Sequence, residues 1–365
     1  MNNNISKNTE LINSGMVDAI KSTFDYNSNI PEKYYILMAD YIDSLTQIEN
    51  SLFQDPIEVA RLLSSSVSSV DEIDMNGIYG KTVGSKITMN LNLDYDSLKL
   101  YFFHELTHTL QTRVISGKES CGFYNGHDGM FLTEGSTQYI AELLQCASNN
   151  ANNESRVYHN AIRGLNHHQI ESSLSEYQFN GNIIVMIAHV TALPVNQIVS
   201  LSYREDGREM LQDMYDLVCG VGSFDTLMFD LEQIYMIDKL IINGNYSNLN
   251  VPEPIDIVSS DGLISFKGNI NSYNLLINKV QRDLMSNFML NNNTEYVLSN
   301  YQYVEKQLTT PELKEQFLNA IHELSNEYTN NISHSRNNGF VNVKIMLTVI
   351  AIIIFVIIIS SYLTK

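Results

Sequence analysis

Apolar residues recur at helical spacing along the first part of the chain. Leu11, Met16, Val17 and Ile20 share one face, and Tyr34, Leu37, Met38, Tyr41 and Leu45 share another. Residues 10–69 therefore read as helical, with Pro31 and Pro56 suited to helix starts. The period then drops to two. Ile87, Met89, Leu91 and Leu93 alternate with Thr88, Asn90 and Asn92, the pattern of a half-buried strand. Gly77, Gly80 and Gly84 just ahead of it predict a hairpin. A long helix is expected over 95–114, a glycine-rich loop over 117–129 and a second helix over 133–147. Residues 157–242 read as mostly helical with a break near Pro194. A linker over 243–254 precedes a short strand pair near Ile264 and Phe266. The last soluble helix is expected over 311–328, and 330–342 is a polar spacer.

Residues 345–363 carry no charge and no polar face. At 1.5 Å per residue this run spans about 28 Å, close to the hydrocarbon thickness of a bilayer. It reads as a C-terminal transmembrane helix. The first residues lack a basic stretch followed by an apolar one, so no secretory signal is expected. Arg336 and Lys344 precede the span and Lys365 follows it, a weak bias toward a cytosolic N-terminal side. Chain order argues the same way, since the rest of the chain is synthesised before the anchor. The expected layout is a single-pass membrane protein with a C-terminal anchor and a cytosolic catalytic domain.

Composition narrows the function. With 22 basic and 41 acidic residues the net charge is −19, and no local basic stripe offsets it. Such a surface repels phosphate backbones, so nucleic acid is not an expected partner. The 3 cysteines, Cys121, Cys146 and Cys219, are odd in number and lack metal-ligand spacing, which fits a reducing compartment.

The chemistry lies in His104-Glu105-Leu106-Thr107-His108, an HExxH sequence. Residues four apart share a helix face, so both imidazoles reach one metal ion. With a third protein ligand, Zn²⁺ keeps a position open for water, whose proton Glu105 is placed to take. Leu98, Phe102, Leu106 and Leu110 give the helix an apolar side. A metzincin would have Gly and His where this chain has Gln111 and Val114, which excludes that class. Two glutamates on the following helix compete as third ligand. Glu134 is expected in its first turn. Glu142 lies two turns on, about 12 Å away, with a solvated face as its other role. Gly135 is expected to leave room for close packing against the motif helix.

Over roughly residues 85–145, with Glu134 in Phe131-Leu132-Thr133-Glu134-Gly135-Ser136-Thr137-Gln138-Tyr139, the chain resembles the gluzincin zinc metallopeptidases. The resemblance implies Glu134 as third ligand and a mostly helical fold. It also implies a small sheet whose edge strand binds extended substrate, expected over 86–93. Several gluzincins carry an Asp four residues after that ligand to orient a zinc-bound His; here the position is Gln138. A downstream Tyr or His that stabilises the oxyanion is also implied, with His189 and Tyr203, beside Arg204, as candidates. His127-Asp128 and the adjacent His167 and His168 read as structural.

The expected fold class is α+β and mainly helical. It comprises an N-terminal helical region over 1–70, a zincin-like domain with a small sheet over 71–250, a mostly helical region over 255–330 and a transmembrane helix over 345–363. The expected function is a membrane-anchored zinc metalloendopeptidase acting on a peptide or protein substrate. The alternative is a non-enzymatic tail-anchored scaffold with a structural or absent metal. Deleting 344–365 is expected to move the protein from the membrane to the soluble fraction, and protease added to intact cells or organelles to spare the main domain. Digestion without membrane rupture would reverse the orientation.

Overall fold

The computed structural model describes residues 2–24, 28–46, 53–75, 78–115, 118–148, 178–241, 249–250, 252–259 and 262–337. The apolar run 345–363, His167, His168 and most of the linker lie outside them. Among the described residues no single helix is long and apolar enough to cross a membrane.

The chain divides into two compact units, Met1–Glu315 and Gln316–Lys365. The first opens with α1 (Asn2–Asn13), α2 (Met16–Lys21), α3 (Glu32–Thr46) and α4 (Pro56–Ser66). Pro56 sits at the start of α4, and the Asp55 side chain caps it by accepting from the Ile57 amide at 2.9 Å. The run expected to be helical stops there. Strands β1 (Ser69–Ile73), β2 (Gly80–Val83) and β3 (Lys86–Asn90) form a small sheet in the order β1-β3-β2, with β1 parallel and β2 antiparallel to β3. Val70, Ile87 and Met89 turn inward and are buried. The strand read over 87–93 ends at Asn90, because the Asn90 side chain turns aside to donate to the Ile78 carbonyl at 2.9 Å. It is the centre of the sheet and not its edge, because β1, to which the sequence pattern assigned no element, pairs along its other side. The outer strands are β1 and β2.

Helix α5 (Tyr95–Gln111) carries the HExxH sequence. Asp94 caps it through the Ser97 amide at 2.9 Å, and Asp96 favours its positive N-terminal end. It stops three residues short of the expected end. Thr112, Val114 and Ile115, all β-branched, instead form β4 (Thr112–Ile115), which pairs with β5 (Lys118–Cys121) inside the expected loop. Helix α6 (Met130–Ser148) follows. Then come α7 (Gln178–Val190), α8 (Val195–Leu201), α9 (Gly207–Cys219) and α10 (Ser223–Leu240), with the expected break at Pro194. The strand pair β6 (Ile255–Val258) and β7 (Ser265–Gly268) precedes α11 (Ile270–Asn291) and α12 (Thr294–Gln307). The last described helix, α13 (Pro311–Asn337), continues into the second unit. The architecture is α+β, mainly helical with small sheets.

Helix α6 is the centre of the first unit and packs against α3, α5, α7, α8 and α10. Glycine at 135 is required by α7: a Cβ there would lie 2.6 Å from the Asn180 carbonyl oxygen. The close approach is therefore to α7 and not to the motif helix. On the other side, the Tyr34 and Tyr41 rings of α3 meet Phe102 and Phe103 of α5 at 4.7 and 5.3 Å. The residues read as an N-terminal region thus share one core with α5.

A buried ion pair locks three helices together. Lys99 Nζ lies 2.6 Å from Asp40 Oδ2, and both side chains are 1% exposed. Ser148 Oγ donates to the same oxygen at 2.7 Å and accepts from Lys99. Removing one partner strands a desolvated charge. Asp40→Ala is expected to destabilise the protein by about 3–5 kcal/mol in urea unfolding, and Asp40→Leu with Lys99→Met to recover much of the loss. A loss below about 1 kcal/mol would mean that the pair does not hold the helices.

Candidate metal centre

Two helices and a strand build the site. His104 and His108 project from one face of α5, with their rings edge to face at 4.7 Å. Glu134 comes from α6, where it sits one turn in, because that helix begins earlier than the sequence pattern suggests. Its Oε2 lies 3.2 Å from His104 Nε2 and 3.1 Å from His108 Nε2. Ligand atoms of the three residues all fall within 4.8 Å of one another. His104 and Glu134 are buried and His108 is partly buried. Two imidazole nitrogens and one carboxylate oxygen converging in a buried site can hold a metal ion.

Electrostatics bind the group together. Burial pushes the Glu134 carboxyl up, but the charge on His108 and hydrogen bonds from both imidazoles outweigh it and hold the carboxyl well below the usual range. Burial opposes charge on His108, yet Glu134 and Cys121 leave it well above the ordinary imidazole value. A metal ion would displace the proton that His108 carries, so binding releases it.

The Nδ1 sides are also held. Gln138 Oε1 lies 3.1 Å from His104 Nδ1, at the position where the resemblance implied an Asp. Gln138 Nε2 donates to Glu142 Oε1 at 2.8 Å, which fixes the amide with its oxygen toward the imidazole. Glu142 is 1% exposed, so its expected solvated face is wrong; it backs Gln138 from within the core. His108 Nδ1 faces Cys121 Sγ at 3.7 Å and Thr137 Oγ1 at 3.4 Å. Thr137 donates to Gln111 Oε1 at 2.7 Å, and Gln111 Nε2 to Ser202 Oγ at 2.7 Å. The roles of Thr137 and Cys121 escaped the sequence analysis because each meets His108 only after α5, α6 and the β4–β5 hairpin pack, and Gln111 enters through Thr137.

Glu105 points the other way, toward the sheet. Thr82 Oγ1 on β2 donates to Glu105 Oε2 at 2.6 Å. Gly80, two residues earlier on the same face, lies so close that an added Cβ would be 2.9 Å from Glu105 Oε1. Gly80 was read as part of a hairpin and Thr82 was not singled out, and nothing in their spacing pairs them with Glu105.

The two oxyanion candidates part company. Tyr203 lies against the motif helix. Its hydroxyl is buried beside those of Tyr41 and Thr107 without closing a well-formed hydrogen bond, and its ring meets Phe53 at 5.1 Å. His189 joins no residue of the metal group: its ring stacks on Tyr303 at 5.4 Å, and Nδ1 lies 3.4 Å from the Tyr296 hydroxyl. Asp128 pairs with Arg208 at 2.8 Å, a structural role as expected. Both lie near the start of α6, where Glu232 Oε1 accepts from the Gly129 and Phe131 amides at 2.7 and 3.3 Å. Burial raises the Glu232 carboxyl to about 7 against the pull of those amides.

Comparison with protein-family models, with curated proteins and with solved structures finds no match. The metal group is directly testable. The full chain is expected to bind about one divalent ion per molecule, and Glu134→Ala to weaken binding sharply. Glu142→Ala, which frees the Gln138 amide to turn, is expected to weaken it by about tenfold, the low end for a residue behind a ligand. Chelator titration measures both, and equal losses in the two variants would place Glu142 among the ligands.

Proposed function

We propose that this chain is a membrane-anchored zinc metallopeptidase that cleaves peptide bonds. The observation that carries the reading is the convergence of His104, His108 and Glu134, with Glu105, next to His104 on the same helix, held by Thr82 of β2. Two imidazoles and one carboxylate form the donor set of a catalytic zinc site that keeps one position open. When bound, zinc supplies Lewis acidity to a substrate carbonyl and to water.

The chain's own residues supply the rest. Glu105 ligates nothing in this arrangement and is free to take a proton from the attacking water and pass it to the leaving amine. Thr82 occupies one of its oxygens, leaving the other as proton acceptor. Among the described residues β2 pairs with β3 alone, so its outer edge offers unpaired backbone groups to an extended peptide. That edge lies next to Glu105, which makes β2 the support for substrate in place of β3. Tyr203 is the oxyanion candidate kept, because its hydroxyl lies beside Thr107 of the motif helix while His189 stacks on Tyr303.

The test is kinetic. Glu105→Gln is expected to retain metal and fold and to lose at least about 10²-fold in kcat on a cleaved peptide. Thr82→Val is expected to lower kcat by about tenfold with little change in KM, and Thr82→Ser to restore it. Undiminished turnover in Glu105→Gln would exclude the mechanism, and indifference of cellular peptides to that substitution would favour a scaffold.

A further inference from the structure

His189, set apart from the metal group, lines a cavity of about 480 Å³ between the α7–α8 turn and α12. That size falls in the range of small-molecule sites. The imidazole is held rigidly. It stacks on Tyr303 with an interplanar angle of 10° and meets Phe288 edge to face at 6.3 Å. Burial pulls it down to about 4, so it is neutral at physiological pH and carries one ring proton. Nδ1 lies 3.4 Å from the Tyr296 hydroxyl, and either group can donate. Nε2 is buried and has no hydrogen-bond partner among the described residues. A buried ring nitrogen without a partner costs free energy unless something else supplies one.

The rest of the lining indicates what that is. Tyr296, Asn300 and Tyr303 stand on one face of α12, and Lys306 follows one turn later. The Lys306 ammonium lies over the Tyr303 ring at 5.9 Å and has no carboxylate partner among the described residues. None of the residues that line the cavity is acidic, in a chain where acids outnumber bases 41 to 22. The opposite wall is apolar, made by Leu193, Pro194 and Val195 with Tyr139 of α6. The cavity therefore combines a neutral imidazole, an amide and an ammonium with no carboxylate partner among the described residues, set against an apolar wall.

We propose that this cavity is a second ligand site, separate from the metal centre, that binds a small carboxylate with an apolar body. The carboxylate head lies against Asn300 and Lys306 beside the His189 ring, and the body rests on Leu193, Val195 and Tyr139. The proposal does not depend on the peptidase reading. A free hydrophobic acid and the C-terminal residue of a peptide share this chemistry.

The experiment follows the ring carbons of His189 by NMR in the full-length chain, in detergent, with resonances assigned through His189→Gln. The probes are 3-phenylpropionate, 3-phenylpropionamide, inorganic phosphate, and Ala-Ala-Phe with a free or amidated C-terminus. Saturable shifts with an acid below about 10 mM, absent with its amide, are expected. Lys306→Ala, a change on a partly exposed helix end, is expected to weaken binding by about tenfold, as for loss of a charge-assisted hydrogen bond. Tighter binding of free Ala-Ala-Phe assigns the source to a peptide C-terminus, and tighter binding of 3-phenylpropionate to a free acid. The proposal is overturned if no probe binds, if an amide or phosphate binds as well as its acid, or if Lys306→Ala leaves the affinity unchanged.

Discussion

One carboxylate oxygen on α6 faces two imidazoles on α5, and this contact exists only if the two helices keep a single register. A slide of one residue along either axis would move Glu134 by about 1.5 Å and turn it by about 100°. The core is arranged around that demand. Asp40, Lys99 and Ser148 join α3, α5 and the far end of α6 in a dry ion pair. The absence of a side chain at Gly135 lets α7 press against the back of α6, where Asn180 also donates to the Phe131 carbonyl at 3.0 Å. Tyr41 reaches α5 through a hydrogen bond to Thr107 at 3.1 Å. Each contact restrains a different degree of freedom.

Polar layers behind the histidines follow from the same packing. Gln138 and Glu142 lie one and two turns beyond Glu134, so a single face of α6 supplies the candidate ligand, the amide behind His104 and the carboxylate behind that amide. Thr137, one residue over, serves His108 instead. An amide between an imidazole and a buried carboxylate transmits orientation while leaving less negative charge beside the metal ligand than a direct carboxylate would. The site thereby avoids crowding a third acid against Glu134 and Glu105.

Helical periodicity made much of the fold legible. The apolar faces of α3 and α5 are strong signals, and HExxH with a downstream Glu-Gly names its own geometry because residue spacing on a helix is fixed. What escaped depended on contacts between distant segments. Strand β1 is short and pairs with β3 across the hairpin, so no local pattern marks it, and without it β3 looked like an edge. Thr82 and Gly80 meet Glu105 only because β2 lies along α5. Glu142 carries no sign in the sequence that it is buried, since a carboxylate two turns from a ligand reads as solvated until its partner is seen. Tyr203 and His189 were chosen by distance along the chain alone, and the packing of α7 and α12 separates them.

The Glu232 carboxyl at the start of α6 gives this scaffold a proton dependence of its own. Its ordinary value is 4.5 and the fold raises it to about 7, so between those pH values the folded chain holds a proton that the unfolded chain releases. The corresponding stability is fully present below 4.5 and is lost as pH rises through about 7. Above that point a buried negative charge sits against the Gly129 and Phe131 amides. Neutral pH is therefore where the mooring of α6 changes character, from a shared proton to a bare anion held by two N–H groups. The helix that presents Glu134 is tied down by chemistry that answers to acidity apart from anything at the candidate metal site.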